Sequence, residues 1–153
     1  MASHSATVRW HRGDAAFTDN RYSRAHRWYF DGGIEVPASA SPHVVPLPFS
    51  SAAAVDPEEA FVAAVSSCHL LWFLSIARKH GYVVNAYDDE ALGMMTKNDA
   101  GKMFISTVTL RPRVVFDGEK QPDAATLERL HHEAHEECFI ANSIRTEVRV
   151  EPR

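Results

Sequence analysis

Between Asp56 and Gly81 the chain carries a helix that is apolar on nearly every side, and any fold it adopts must cover that surface. Asp56 is a natural N-cap, Pro57 suits the first helical position, and Glu58 and Glu59 complement the positive end of the helix dipole. Arg78 and Lys79 match the other end, and Gly81 stops the helix. Phe61, Ala64, Val65, Cys68, Leu71, Trp72 and Ser75 recur at three- and four-residue steps, and Leu70, Phe73 and Leu74 add apolar surface outside that stripe. A membrane span takes about 20 mostly apolar residues. The apolar run Ala60–Ala77 is shorter, is closely bounded by charge, and holds Ser66, Ser67, His69 and Ser75, so a helix buried in a protein core explains it better. One domain spanning residues 1–153 cannot readily surround such a helix alone, and a homodimer is expected.

The remaining pattern is mostly strand. Thr7–Trp10 reads as a first strand, and Arg24–Phe30 and Ile34–Pro37 flank the turn Asp31-Gly32-Gly33 as a hairpin. Four of the eight prolines fall between Pro37 and Pro48, which predicts an extended loop or interrupted edge strand. Tyr82–Tyr87, Ala91–Lys97 and Lys102–Phe116 read as strands, the last two joined through Asn98-Asp99-Ala100-Gly101. A second helix is expected from Pro122-Asp123 to Glu137 or Cys138, and Arg145–Glu151 closes the chain as a strand. The order predicts an α+β domain of antiparallel sheet with two central helices.

Charge and cysteine usage narrow the function. The net charge is −4 with Lys and Arg scattered, which leaves no footprint for nucleic acid. The segment Met1–Trp10 is polar and lacks the apolar stretch of an export signal, so a cytoplasmic, reducing setting is expected, without a membrane partner. In that setting Cys68 and Cys138, the two cysteines of the chain, are either buried thiols or a transient redox couple. Cys68 shares a helical face with Phe61, Val65 and Trp72, and Cys138 ends the stripe Leu127, Leu130, Ala134. Both point inward. A thiol in apolar surroundings is inert unless a cation is brought to it.

The run Asp56-Pro57-Glu58-Glu59-Ala60-Phe61-Val62-Ala63-Ala64-Val65-Ser66-Ser67-Cys68 resembles the first signature of the OsmC/Ohr family of organic hydroperoxide reductases, and the element order is similar over nearly the whole chain. The resemblance implies an OsmC-like fold, with antiparallel sheets wrapped around two central helices in an intertwined homodimer. It implies a cysteine-based peroxidase with no cofactor. Cys68 would attack the peroxide, Cys138 would resolve the sulfenic acid as a Cys68–Cys138 disulfide, and an external dithiol, typically a lipoyl-bearing protein, would reduce it. By match, Glu58 would hold an Arg that stabilises the thiolate and the developing oxygen charge. That Arg would lie ahead of the second strand, where Arg21, Arg24 and Arg27 compete and Arg24 fits the spacing best. The family's second cysteine is usually followed by Pro-x-Ser; here the run is Cys138-Phe139-Ile140-Ala141-Asn142-Ser143.

Ten helical residues rise about 15 Å, so Glu58 cannot touch Cys68 of its own helix, and Glu58 with its Arg is expected from the partner subunit. Two other readings compete. His131, His135 and Cys138 lie one turn apart beside His132, and with His69 or Cys68 they have metal-ligand spacing. Alternatively Phe61, Leu71, Trp72, Phe73 and Phe139 could line a pocket in a non-catalytic dimer that binds an apolar ligand.

Overall fold

The computed structural model describes residues 1–153, which cluster into two compact units, Met1–Ala60 and Phe61–Arg153. In the first unit, strands β1 (Ala6–Arg9), β2 (His26–Phe30) and β3 (Glu35–Ala38) form one antiparallel sheet in that order. Asp31-Gly32-Gly33 makes the expected hairpin turn, with Gly33 at φ 80° where a side chain would be strained. Trp10 falls outside β1 because its indole Nε1 donates to the Ser23 carbonyl at 2.8 Å, turning the chain into the loop that precedes β2. The proline-rich segment after β3 is loop, as its composition predicts, apart from a bridge between Ala38 and Val55.

Helix α1 (Pro57–Lys79) begins in the first unit and runs through the second. Its start is a reciprocal capping box. Asp56 Oδ1 accepts from the Glu59 N–H at 2.8 Å, and Glu59 Oε2 accepts from the Asp56 N–H at 3.3 Å.

In the second unit β4 (Val83–Asp89) pairs with β7 (Pro112–Asp117), while β5 (Leu92–Lys97), β6 (Met103–Leu110) and β8 (Glu147–Val150) form a separate sheet in the order β5-β6-β8. The run Lys102–Phe116 is therefore two strands rather than one. At Arg111 the backbone N–H leaves the ladder and donates to Asp89 Oδ1 at 2.6 Å, and Pro112 has no N–H to give, so the two halves part into different sheets. The pairing of β6 with β8 is parallel, the exception in an otherwise antiparallel set. Helix α2 (Ala124–Glu137) starts where expected, with Asp123 accepting from the Thr126 N–H.

The stripe of α1 that is buried reads Val65, His69, Phe73, Ile76, Ala77. Its upper part meets Val108 and Leu110 of β6; its lower part meets Leu130 and Ala134 of α2 and the aromatic faces of β4 and β7. At Gly93 of β5 a Cβ would sit 2.6 Å from a Val62 methyl, so the Val62 side chain of α1 packs directly on the Gly93 backbone. By length and composition alone α1 could cross a membrane. Here its apolar stripe is spent on the two cores, whereas Leu71 remains 64% exposed on the opposite side. One chain does not cover this helix.

Candidate active site

Cys68 sits midway along α1, one residue before the buried His69 and one turn before Trp72. Cys138 ends α2 as its C-cap residue and is 1% exposed. The fold brings the two thiols close enough for Cys68 to help raise the Cys138 thiol, while both remain free. Two features of the sequence hold them there. Ser66 donates to Asp89 Oδ2 at 2.5 Å, fixing α1 to the end of β4. Phe139, next to Cys138, packs edge-on against Trp72 with ring centroids 5.4 Å apart, fixing the end of α2 to α1 one turn beyond Cys68.

The flanking residues that depart from the family's usual motif close the end of α2. Asn142 Nδ2 donates to the Glu136 and Cys138 carbonyls, and Ser143 Oγ donates to the Phe139 carbonyl, so the orphaned carbonyls of the last turn are satisfied. The same turn aims the Ala141 N–H at the Cys138 sulfur at 3.4 Å. Burial nevertheless dominates. It pushes the Cys138 thiol up to about 11, against the opposing pull of the Ala141 and Ile140 amides.

Beside this pair lies a feature the sequence pattern did not disclose. His69 of α1 and His131 of α2 are both buried, with His69 Nε2 3.0 Å from His131 Nδ1 and the rings stacked at 5.3 Å. His131 also stacks on Phe73 at 4.3 Å. Burial lowers His69 to about 4, with His135 adding to the effect, and lowers His131 to about 3. Both are therefore neutral rings at ordinary pH. The signal for His69 was available, since Val65, His69, Phe73 and Ile76 keep helical spacing, but a polar residue does not register in an apolar count.

The metal reading does not survive this packing. His131 Nδ1 is taken by His69, and no three His, Cys, Asp or Glu side chains converge on a point that would hold a metal ion. The residues proposed for an apolar pocket also separate. Phe73 is fully buried in the core, whereas Leu71 and Phe139 are exposed.

The three candidate arginines are now distinct. Arg27 pairs with Glu35 at 3.4 Å on the exposed sheet surface, and Arg21 is exposed, with only its backbone N–H bound, to Asp19. Arg24 is held by its own loop. Its Nη1 donates to the Asn20 and Tyr22 carbonyls, its Nη2 donates to Asn20 Oδ1, and the guanidinium lies 3.8 Å over the Tyr22 ring centroid. No ion pair joins Arg24 to the half-buried Glu58 within the chain.

Comparison with known proteins bears on this arrangement. Residues 50–153 match the family model described as OsmC-like protein. An OsmC-like protein of unknown function from Vibrio cholerae is 60% identical over the whole of both chains, with a TM-score of 0.97. The organic hydroperoxide resistance protein OhrB of Bacillus subtilis is 20% identical, with a TM-score of 0.68 over 99% of this chain and 98% of that one. An organic hydroperoxide resistance protein from Elizabethkingia anophelis is 16% identical, with a TM-score of 0.72 over 99% and 94%. No curated protein matches. The two hydroperoxide resistance proteins share the fold at identities too low to carry more than the fold. With a family model matching more than half its length and a full-length relative at 60% identity, this chain belongs to the OsmC-like protein family.

Proposed function

We propose that this protein is a thiol-dependent peroxidase that reduces organic hydroperoxides to alcohols. The observation that carries the reading is the proximity of Cys68 and Cys138, two free thiols on separate helices close enough for one to shift the other. The Cys68 thiolate attacks the distal peroxide oxygen. The S–O bond forms, the O–O bond breaks, and the departing alkoxide takes a proton to leave as alcohol, with Cys68 oxidised to the sulfenic acid. Cys138 then attacks the Cys68 sulfur. The S–S bond forms, hydroxide leaves and takes up the Cys138 proton as water, and an external dithiol such as a lipoyl group reduces the disulfide. A Cys138 thiol raised by burial makes the second step the one that needs help with its proton.

In this reading Arg24 meets the thiolate and the developing oxygen charge. Glu58 and Arg24 reach Cys68 from the partner subunit of a homodimer. A cytoplasmic setting follows from the need for free thiols.

The test is turnover of cumene hydroperoxide with dihydrolipoamide as reductant. Wild-type protein is expected to turn over, Cys68→Ser to be inactive, and Cys138→Ser to give one turnover that stops at a sulfenic acid trappable by dimedone. Absence of turnover in wild type, or full activity in Cys68→Ser, would overturn the reading.

A further inference from the structure

One side-chain hydrogen bond joins α1 to α2, and it lies between two buried rings, His69 Nε2 and His131 Nδ1, 3.0 Å apart. The pairing of His80 with Glu133 lies just past the end of α1 and is more than a third exposed. The buried bond is costly. The second nitrogen of each ring, His69 Nδ1 and His131 Nε2, is buried without a partner. So is the hydroxyl of Tyr87, whose ring centroid is 6.5 Å from that of His131. A buried polar atom left unpaired loses its hydration and gains no bond in return. Leucines would fill comparable space without that loss. What two histidines supply and two leucines cannot is direction: apolar contacts tolerate sliding, whereas a bond between two particular nitrogens does not.

The place of this bond shows what it fixes. His69 directly follows Cys68 on α1, whereas His131 precedes Cys138 by seven residues (131 to 138), about 10 Å along α2. Two pairings adjacent on one helix and two turns apart on the other mean that α2 runs across α1 more than along it. Sliding α2 on its axis therefore carries Cys138 away from Cys68, and rolling α1 turns Cys68 aside. A disulfide tolerates neither, since it needs the two Cβ atoms about 3.5–4.5 Å apart and a torsion about the S–S bond near a right angle.

We propose that His69 and His131 are positioning residues for the thiol pair: their hydrogen bond holds α1 and α2 in the register that lets Cys68 and Cys138 close a disulfide. The proposal deepens the peroxidase reading, in which closure is the second step, but closure can be measured without any peroxide.

Reduced protein is equilibrated with mixtures of glutathione and glutathione disulfide at pH 7, where both rings are neutral. Glutathione disulfide is reduced to two thiols as Cys68 and Cys138 lose their protons and join, so the closed fraction reports how well the two sulfurs are placed. An amide can stand in for one imidazole nitrogen: Asn places it near the Nδ1 position and Gln near the Nε2 position. His131→Asn and His69→Gln should therefore keep the bond and close as wild type does. His131→Gln and His69→Asn carry the same amide at the wrong reach. They and His131→Leu should lower the closure constant about tenfold or more, with the circular dichroism spectrum unchanged. His80→Ala should close as wild type. In single turnover with cumene hydroperoxide, the dimedone-trappable sulfenic acid at Cys68 should last about tenfold longer in His131→Leu than in wild type. The crossed pattern, with Asn serving at position 131 and Gln at position 69, sustains the positioning role; seen in a protein that consumes no peroxide, it sustains that role and removes the peroxidase reading. Closure by His131→Leu equal to wild type, or the same closure with Asn as with Gln at either position, overturns the positioning role and leaves the peroxidase reading standing.

Discussion

At the residue scale, Asn20 shows how one side chain can do two jobs. Its φ of 63° places it in the left-handed region, where Asn is among the few residues tolerated without large cost. Its carbonyl and its side-chain oxygen then both accept from the Arg24 guanidinium. Glycine would keep the backbone and remove the side-chain acceptor. Asn20→Gly is therefore expected to leave thermal stability unchanged or slightly raised, while peroxidase kcat/KM falls about ten- to a hundredfold through loss of Arg24 positioning. Unchanged kcat/KM would mean that Arg24 is not placed by Asn20. Cys68 and its preceding motif were legible in the sequence because the motif is local. Spacing in the sequence favoured Arg24 over Arg21 and Arg27, but how each is held, Arg24 by Asn20 and Tyr22 and Arg27 by Glu35, depends on the folded loop and sheet.

At the element scale, the contact between α1 and α2 is made partly of neutral histidines. His69 faces His131 and, more distantly, His135 from α2 and Asp89 from β4. Both folded values, about 4 and about 3, lie below the ordinary 6.5, so the unfolded chain binds protons first as pH falls. The stability these rings contribute is present in full above about pH 6.5 and is lost as pH falls towards 4, at up to about 1.4 kcal/mol per pH unit for each ring. Urea unfolding at pH 7, 6 and 5 should show the midpoint falling steadily, and a flat midpoint over that range would contradict the assignment of neutral buried rings. The junction of α1 with β5 has a different vulnerability. Gly93→Ala would bring a methyl against the Val62 side chain packed on it, and a loss of about 1–3 kcal/mol by the same assay is expected. The helices and the hairpin followed from caps, dipole charges and glycines close in sequence. The split at Arg111 did not, because Asp89, which takes the Arg111 N–H, lies on another strand.

At the scale of the whole molecule, the exposed side of α1 and the surfaces near it are where the proposed homodimer would form. Leu71 and Phe139 are 64% and 69% exposed, and Met94 and Met103 are more than half exposed. Patches of this kind mark association surfaces. If the proposed homodimer forms through this face, Leu71→Asp is expected to give monomers in sedimentation analysis and to abolish peroxidase turnover, since the proposed composite site would lose the partner's Arg24 and Glu58. Mixing inactive Cys68→Ser and Arg24→Gln proteins under exchange conditions should restore part of the activity, because one kind of composite site in the mixed dimer is intact. Lack of any recovery would argue for sites complete within one chain.

The apolar helix from Asp56 to Gly81, with its caps, its dipole charges and the motif ending at Cys68, was determined by the sequence alone, because each depends on residues within a few turns of one another. The partition of strands among sheets, the parallel pairing of β6 with β8, the stacking of His69 on His131 and the meeting of Cys68 with Cys138 were decided only by tertiary structure. These contacts join segments far apart in the chain, and which of them form depends on how the two apolar stripes are buried together.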